Sequence, residues 1–139
     1  MKLLFYHSQE SPQTQSLENL VRSFVPDDSI EVYRSLEILT ERIRGPVNNI
    51  TTAVFVASSL EELKKFYKLR SYFFDLRHII ILPEKDEKMI AVAHKLRPRF
   101  LSYFEHDFNV VSAVLKKMFS TKWAAGSQYQ DGMSLDLQA

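Results

Sequence analysis

The chain has 139 residues, no cysteine and a net charge of +1. That length suits one domain burying about two-thirds of its unfolded surface. The missing cysteines exclude disulfides, thiolate metal sites and cysteine nucleophiles, and the charge is too small to imply nucleic acid.

Lys2 to His7 predicts a first strand. Its apolar part is too short for a signal peptide, and no run approaches the roughly 20 apolar residues of a membrane span, so no membrane association and a cytoplasmic location are expected. Ser11 can cap a helix that begins at Pro12 and carries Leu17, Leu20, Val21 and Phe24 at i, i+3, i+4 and i+7 before Pro26 and Asp27-Asp28 end it. Ile30 and Val32 mark a second strand; with polar Glu31 and Arg34 beside them, it fits a sheet edge. Leu36, Leu39 and Ile43 form the next helical stripe, for which Gly45-Pro46 predicts a left-handed stop.

Ile50 to Ser59 is a nearly uninterrupted apolar and β-branched run, the pattern of a central parallel strand covered on both faces. In an open α/β sheet the ligand crevice lies beyond the carboxyl ends of such strands, here Ala57 to Ser59, and no carboxylate, histidine or glycine-rich loop stands there. Ser59 and Glu62 fit a capping box that starts a third helix with Leu63, Phe66, Tyr67 and Arg70 on successive turns, running to Phe73 or Phe74 before a turn at Asp75-Leu76-Arg77. His78 to Leu82 is the fourth strand, ended by Pro83. Asp86 caps a fourth helix with Met89 or Ile90, Val92 or Ala93, and Leu96 inward and Lys85, Lys88 and Lys95 outward, stopped at Arg97-Pro98. Phe100 to Phe104 is the fifth strand. Asp107 caps a last helix with Val111, Val114, Leu115 and Met118, ending near Ser120. Residues 1–120 are thus one domain, and 121–139, rich in Gly, Ser, Gln and Asp with scattered Trp123, Tyr129, Met133, Leu135 and Leu137, form a flexible or docking tail.

This strict alternation predicts a flavodoxin-like (βα)5 three-layer sandwich with a parallel sheet in the strand order 2-1-3-4-5. In the order of its apolar runs, residues 2–120 resemble the receiver domain of two-component response regulators. The positions that carry the family's chemistry differ. Where the family has an acidic pair for magnesium this chain has His7 and Ser8; where it has its phosphoaccepting aspartate, Val56-Ala57-Ser58; where it has Ser or Thr after the fourth strand, Pro83; where it has a lysine and proline after the fifth, Tyr103-Phe104. The resemblance therefore implies a pseudo-receiver: a non-catalytic signalling module without metal or cofactor, acting through protein–protein interaction with a signalling protein or a second copy. It also implies a binding face made by the fourth helix, fifth strand and fifth helix, around Lys88, His94, Lys95, Arg97 and Tyr103.

The competing expectation is a small ligand-binding or hydrolytic domain using His7, Ser8 and Tyr103 at the crevice. No orienting carboxylate, glycine elbow or oxyanion loop is evident beside that histidine. His78, His94 and His106 lack the spacing of a local metal site, and three glycines supply no phosphate loop. In Lys64 to Arg70 the lysines are the solvated flank of a helix whose apolar stripe holds Phe66 and Tyr67.

Overall fold

In the computed structural model, which describes residues 2–46, 49–73, 76–104 and 108–123, strand and helix alternate throughout. The elements are β1 (Lys2–His7), α1 (Pro12–Arg22), β2 (Ile30–Tyr33), α2 (Leu36–Arg44), β3 (Ile50–Val56), α3 (Leu60–Lys68), β4 (Arg77–Leu82), α4 (Glu87–Lys95), β5 (Phe100–Tyr103) and α5 (Phe108–Trp123). The strands pair in parallel in the order β2-β1-β3-β4-β5, the flavodoxin-like arrangement expected from the alternation.

Because side chains alternate along a strand, each central strand feeds two cores. Leu4, Tyr6, Ala53, Phe55, Ile80 and Leu82 meet Leu39 and Ile43 of α2, Leu63 and Phe66 of α3, and Met89 and Ala93 of α4. On the other face Leu3, Phe5, Val54, Val56, Ile79 and Ile81 meet Leu17 and Val21 of α1 and Val111, Leu115 and Met118 of α5. Those strands are continuous apolar runs because neither face meets water.

The edges are built differently. On β2, Glu31 accepts from Arg42 Nε at 2.9 Å, Tyr33 Oη at 2.9 Å and Lys2 Nζ at 3.3 Å. Burial alone would raise this carboxyl, but hydrogen bonds from Arg42 and Tyr33 and the Arg42 charge outweigh it and hold the group below its ordinary value. β5, the opposite edge, carries half-buried Phe100, Leu101 and Tyr103 around buried Ser102.

Several helix ends depart from the sequence reading. Gly45 sits at φ −90° and ψ −166°, an extended conformation, so α2 ends without the left-handed stop expected of Gly45-Pro46; a proline disfavours right-handed helical geometry in the residue before it, and Gly45 takes the extended alternative. The left-handed residue is instead Arg97, at φ 55°, just after α4 and before Pro98. A non-glycine residue there costs about 1–2 kcal/mol, and this turn carries Leu96 into the core. α3 stops at Lys68, five residues before the expected Phe73, and a 3₁₀ turn over Arg70–Tyr72 follows. That turn brings Phe73 back under the sheet, with ring centroids 5.1 Å from Phe55 and 5.2 Å from His78. α5 continues to Trp123, beyond the expected end near Ser120. Phe74, Asp75, His106, the expected cap Asp107 and residues 124–139 lie outside the described residues, as does the Trp123 side chain.

His78 is 2% exposed, and the described residues offer its Nε2 no hydrogen-bond partner. Burial holds its pKa below the ordinary 6.5, against the nearby backbone of Leu76 and Leu96, which raises it. The fold therefore favours the neutral ring, so this contribution to stability is full above pH 6.5 and declines as the pH falls below that value and the unfolded chain binds the proton first. Urea unfolding of His78→Leu from about pH 7 to about pH 5 is expected to show a shallower loss of stability than the parent; parallel slopes would show that other groups set the acid limit.

Candidate functional site

Topology gathers the ends of β1, β3, β4 and β5 at the carboxyl rim of the sheet, where doubly wound folds hold their ligands. A cleft of about 160 Å³ opens there, lined among others by Ser8, Thr14, Ala57, Ser58, Pro83 and Phe104. Three of the sequence-predicted rim positions, Ser8, Ala57 and Pro83, thus come together. His7 does not join them. Its side chain turns under the α1 layer and is 1% exposed. Tyr103 packs on the α2–α4 side, with Lys85 Nζ 5.9 Å from its ring centroid, and Phe104 takes the place at the cleft.

One expectation is corrected here. An orienting carboxylate for His7 does exist, Glu18 of α1, whose Oε1 lies 3.6 Å from His7 Nε2. Both side chains are buried, and Glu18 is also held by Arg22 Nε at 3.1 Å and approached by Arg34 at 3.8 Å. The pair does not act on Ser8, whose hydroxyl donates to Ser58 Oγ at 3.3 Å. The available signal was Glu18 itself, which falls beside Leu17 and Val21 on the apolar face of α1.

The strongest polar feature of the rim was not singled out from the sequence. Glu62, 9% exposed on α3, accepts from the Tyr6 hydroxyl at 2.6 Å through one oxygen; the other accepts from the Ser58 backbone N–H at 2.8 Å and the Ser58 hydroxyl at 3.0 Å. The capping box is therefore offset. Ser59 Oγ accepts from the Glu62 N–H at 3.2 Å, as expected, but the Glu62 carboxylate reaches past Ser59 to Ser58. The reason is Tyr6, whose hydroxyl emerges from the core beside α3 and needs an acceptor. Burial, followed by the hydrogen bond and charge of Glu62, pushes the Tyr6 phenol well above its ordinary value of 10, against a bond to Ser8 that lowers it. The network thus holds a neutral phenol on a carboxylate.

This donor set does not suit a divalent cation. Magnesium wants carboxylate oxygens free to bind it; here Ser8 and Ser58 offer neutral hydroxyls, and both oxygens of Glu62 already accept strong hydrogen bonds. Among the described residues no group of three His, Asp or Glu side chains could hold a metal ion. No described helix is long and apolar enough to cross a membrane.

Solved structures that share this arrangement include a pilus assembly-related protein from Burkholderia pseudomallei, 16% identical with a TM-score of 0.59 over 94% of each chain. They also include a response regulator from Thermotoga maritima, 14% identical with a TM-score of 0.58 over 86% of this chain and 98% of that one. At such identities the likeness establishes a receiver-like fold and no activity. The chain matches no family model and no curated protein.

A second large groove, about 410 Å³, lies between α2 and α3 and is lined by Ser35, Leu36, Glu37, Thr40, Lys65, Lys68 and Leu69. No residue in it was foreseen as a site.

Replacing Glu62 by Gln leaves three donors facing a single acceptor oxygen, and a loss of about 1–3 kcal/mol in urea unfolding is expected. Tyr6→Phe is expected to cost about 1 kcal/mol, and the double variant less than the sum of the two. Strict additivity would mean that the phenol and the carboxylate do not support one another.

Proposed function

We propose that the chain is a receiver-like module without a phosphoacceptor that works by binding another protein. The observation that carries this reading is the state of the rim: β3 runs into Ala57, which has no nucleophile, and the nearby Glu62 carboxylate is already bound by Tyr6 and Ser58. A carboxylate must be free to attack a phosphoryl group and needs a cation to neutralise the developing charge. Neither condition suits Glu62, while the receiver-like fold around it is intact.

The surface proposed for binding is α4, β5 and α5. Lys88, His94, Lys95 and Arg97 are exposed, and Tyr103 is half-buried. They form an elongated surface, because α4 returns antiparallel to the strands. Lys88 therefore sits toward the rim end with Tyr103, while His94, Lys95 and Arg97 sit at the far end, a separation of about 10 Å at 1.5 Å per residue. Lys88 and Lys95 lie two turns apart on one side of the helix, and none of Lys88, Lys95 and Arg97 makes an ion pair among the described residues. Arg97 and Tyr103 are of the residue types that anchor protein interfaces.

Incubation with acetyl phosphate and magnesium is expected to leave the protein unmodified; a base-labile, hydroxylamine-sensitive phosphate on any of its carboxylates would overturn the reading.

The surface has its own test. A photo-crosslinking residue at position 95 is expected to trap a protein partner or a second copy in intact cells, and one at Asn19 on α1 to trap none. Lys95→Glu with Arg97→Asp, the latter chosen because Asp tolerates left-handed backbone, is expected to abolish the adduct formed from position 88 while changing stability by less than about 1 kcal/mol. Adducts from position 19 alone would move the interface to the opposite face.

A further inference from the structure

The groove between α2 and α3 combines an apolar floor with walls of opposite sign. Leu36 and Leu69 are half-buried, packed on the core below and open to the groove above. Exposed Lys65 and Lys68 line the α3 wall and make no ion pair among the described residues, whereas exposed Glu37 lines the α2 wall. Thr40 offers little as a donor, because its hydroxyl already donates to the Leu36 carbonyl at 2.7 Å. A fitting occupant therefore has apolar side chains for the floor and an acidic group kept toward α3, away from Glu37.

The chain itself contains such a segment. Residues 124–139 hold two acidic side chains, Asp131 and Asp136, and no lysine or arginine. Within them Met133, Leu135 and Leu137 alternate with Ser134 and Asp136, so an extended segment would place three apolar side chains on one side and the acid on the other. Lysine side chains rise along apolar surface and hold their ammonium groups at the rim, where such an acid would stand.

Each helix returns antiparallel to its strand, so the end of α5 at Trp123 and the end of α3 at Lys68 lie toward the same end of the strands, on opposite faces. Helix layers on the two faces are about 20 Å apart, and seven extended residues, 124–130, span about 23 Å.

We propose that residues 133–137 of this chain dock in the α2–α3 groove, with Met133, Leu135 and Leu137 on Leu36 and Leu69 and Asp136 toward Lys65 and Lys68. This proposal does not depend on the absence of a phosphoacceptor, and it leaves the α4–β5–α5 surface uncovered.

Zero-length carbodiimide coupling of the full chain tests it, since the reagent joins a lysine Nζ to a carboxylate carbon as an amide with loss of one water. Peptide mapping of the monomer is expected to show Lys65 or Lys68 joined to Asp136. Those links should disappear in Lys65→Ala/Lys68→Ala and in Asp136→Asn. In parallel, Leu135→Ser/Leu137→Ser is expected to shift the backbone amide resonances of Leu36, Thr40 and Leu69 and to leave those of α4 unmoved. The proposal is overturned if Asp136 couples to other lysines or to none. It is equally overturned if, in a mixture of isotopically labelled and unlabelled chains, the links form only between copies.

Discussion

A sheet whose central strands are apolar on both sides cannot leave either side to water, and every other feature of this fold follows from that constraint. β1, β3 and β4 place Tyr6, Phe55 and Ile80 on one face and Phe5, Val54 and Ile79 on the other. Helices must therefore cover both faces, and parallel strands require a crossover between each pair, so α2, α3 and α4 share one face while α1 and α5 share the other. This division also determines which groups meet at the rim. Tyr6 faces α3, and so its hydroxyl finds Glu62; His7, the next residue, faces α1, and so its ring finds Glu18. Neighbours in the chain end in different chemical environments because a strand reverses its side at every residue.

Much of the architecture was legible because it rests on short-range patterns. The apolar runs gave the strands; Ser11, Ser59 and Asp86 each accept from a backbone N–H at the start of a helix; and a charged second strand marked one edge of the sheet. The less legible parts depend on contacts distant in sequence. Glu62 has the spacing of a capping residue, and only the arrival of Tyr6, 56 positions earlier, gives it a second role. Glu18 occupies an apolar stripe without any local sign that His7 is its neighbour. Likewise, Lys64 to Arg70 reads locally as a single helix, and only the contacts of Phe73 with Phe55 and His78 explain why that helix stops early.

Glycine and proline illustrate the same division. Gly45-Pro46 and Arg97-Pro98 look alike as stops, since in both the residue before proline is barred from ordinary helical geometry. Gly45 takes the extended alternative and Arg97 the left-handed one. The less comfortable choice thus falls on the residue with a side chain, directly after the buried Leu96.

The Tyr6–Glu62–Ser58 network bears on how such a domain can carry information. Signalling through a fold of this kind requires two arrangements close in energy, so that a modest input tips the balance. Here, swinging α3 away from β1 would leave a phenol without an acceptor and a carboxylate without its donors in a nearly water-free place, at a cost of about 1–3 kcal/mol for each group stranded. The network thus tethers α3 to β1 at the rim, and any input that moved α3 would have to supply new partners for the groups it stranded.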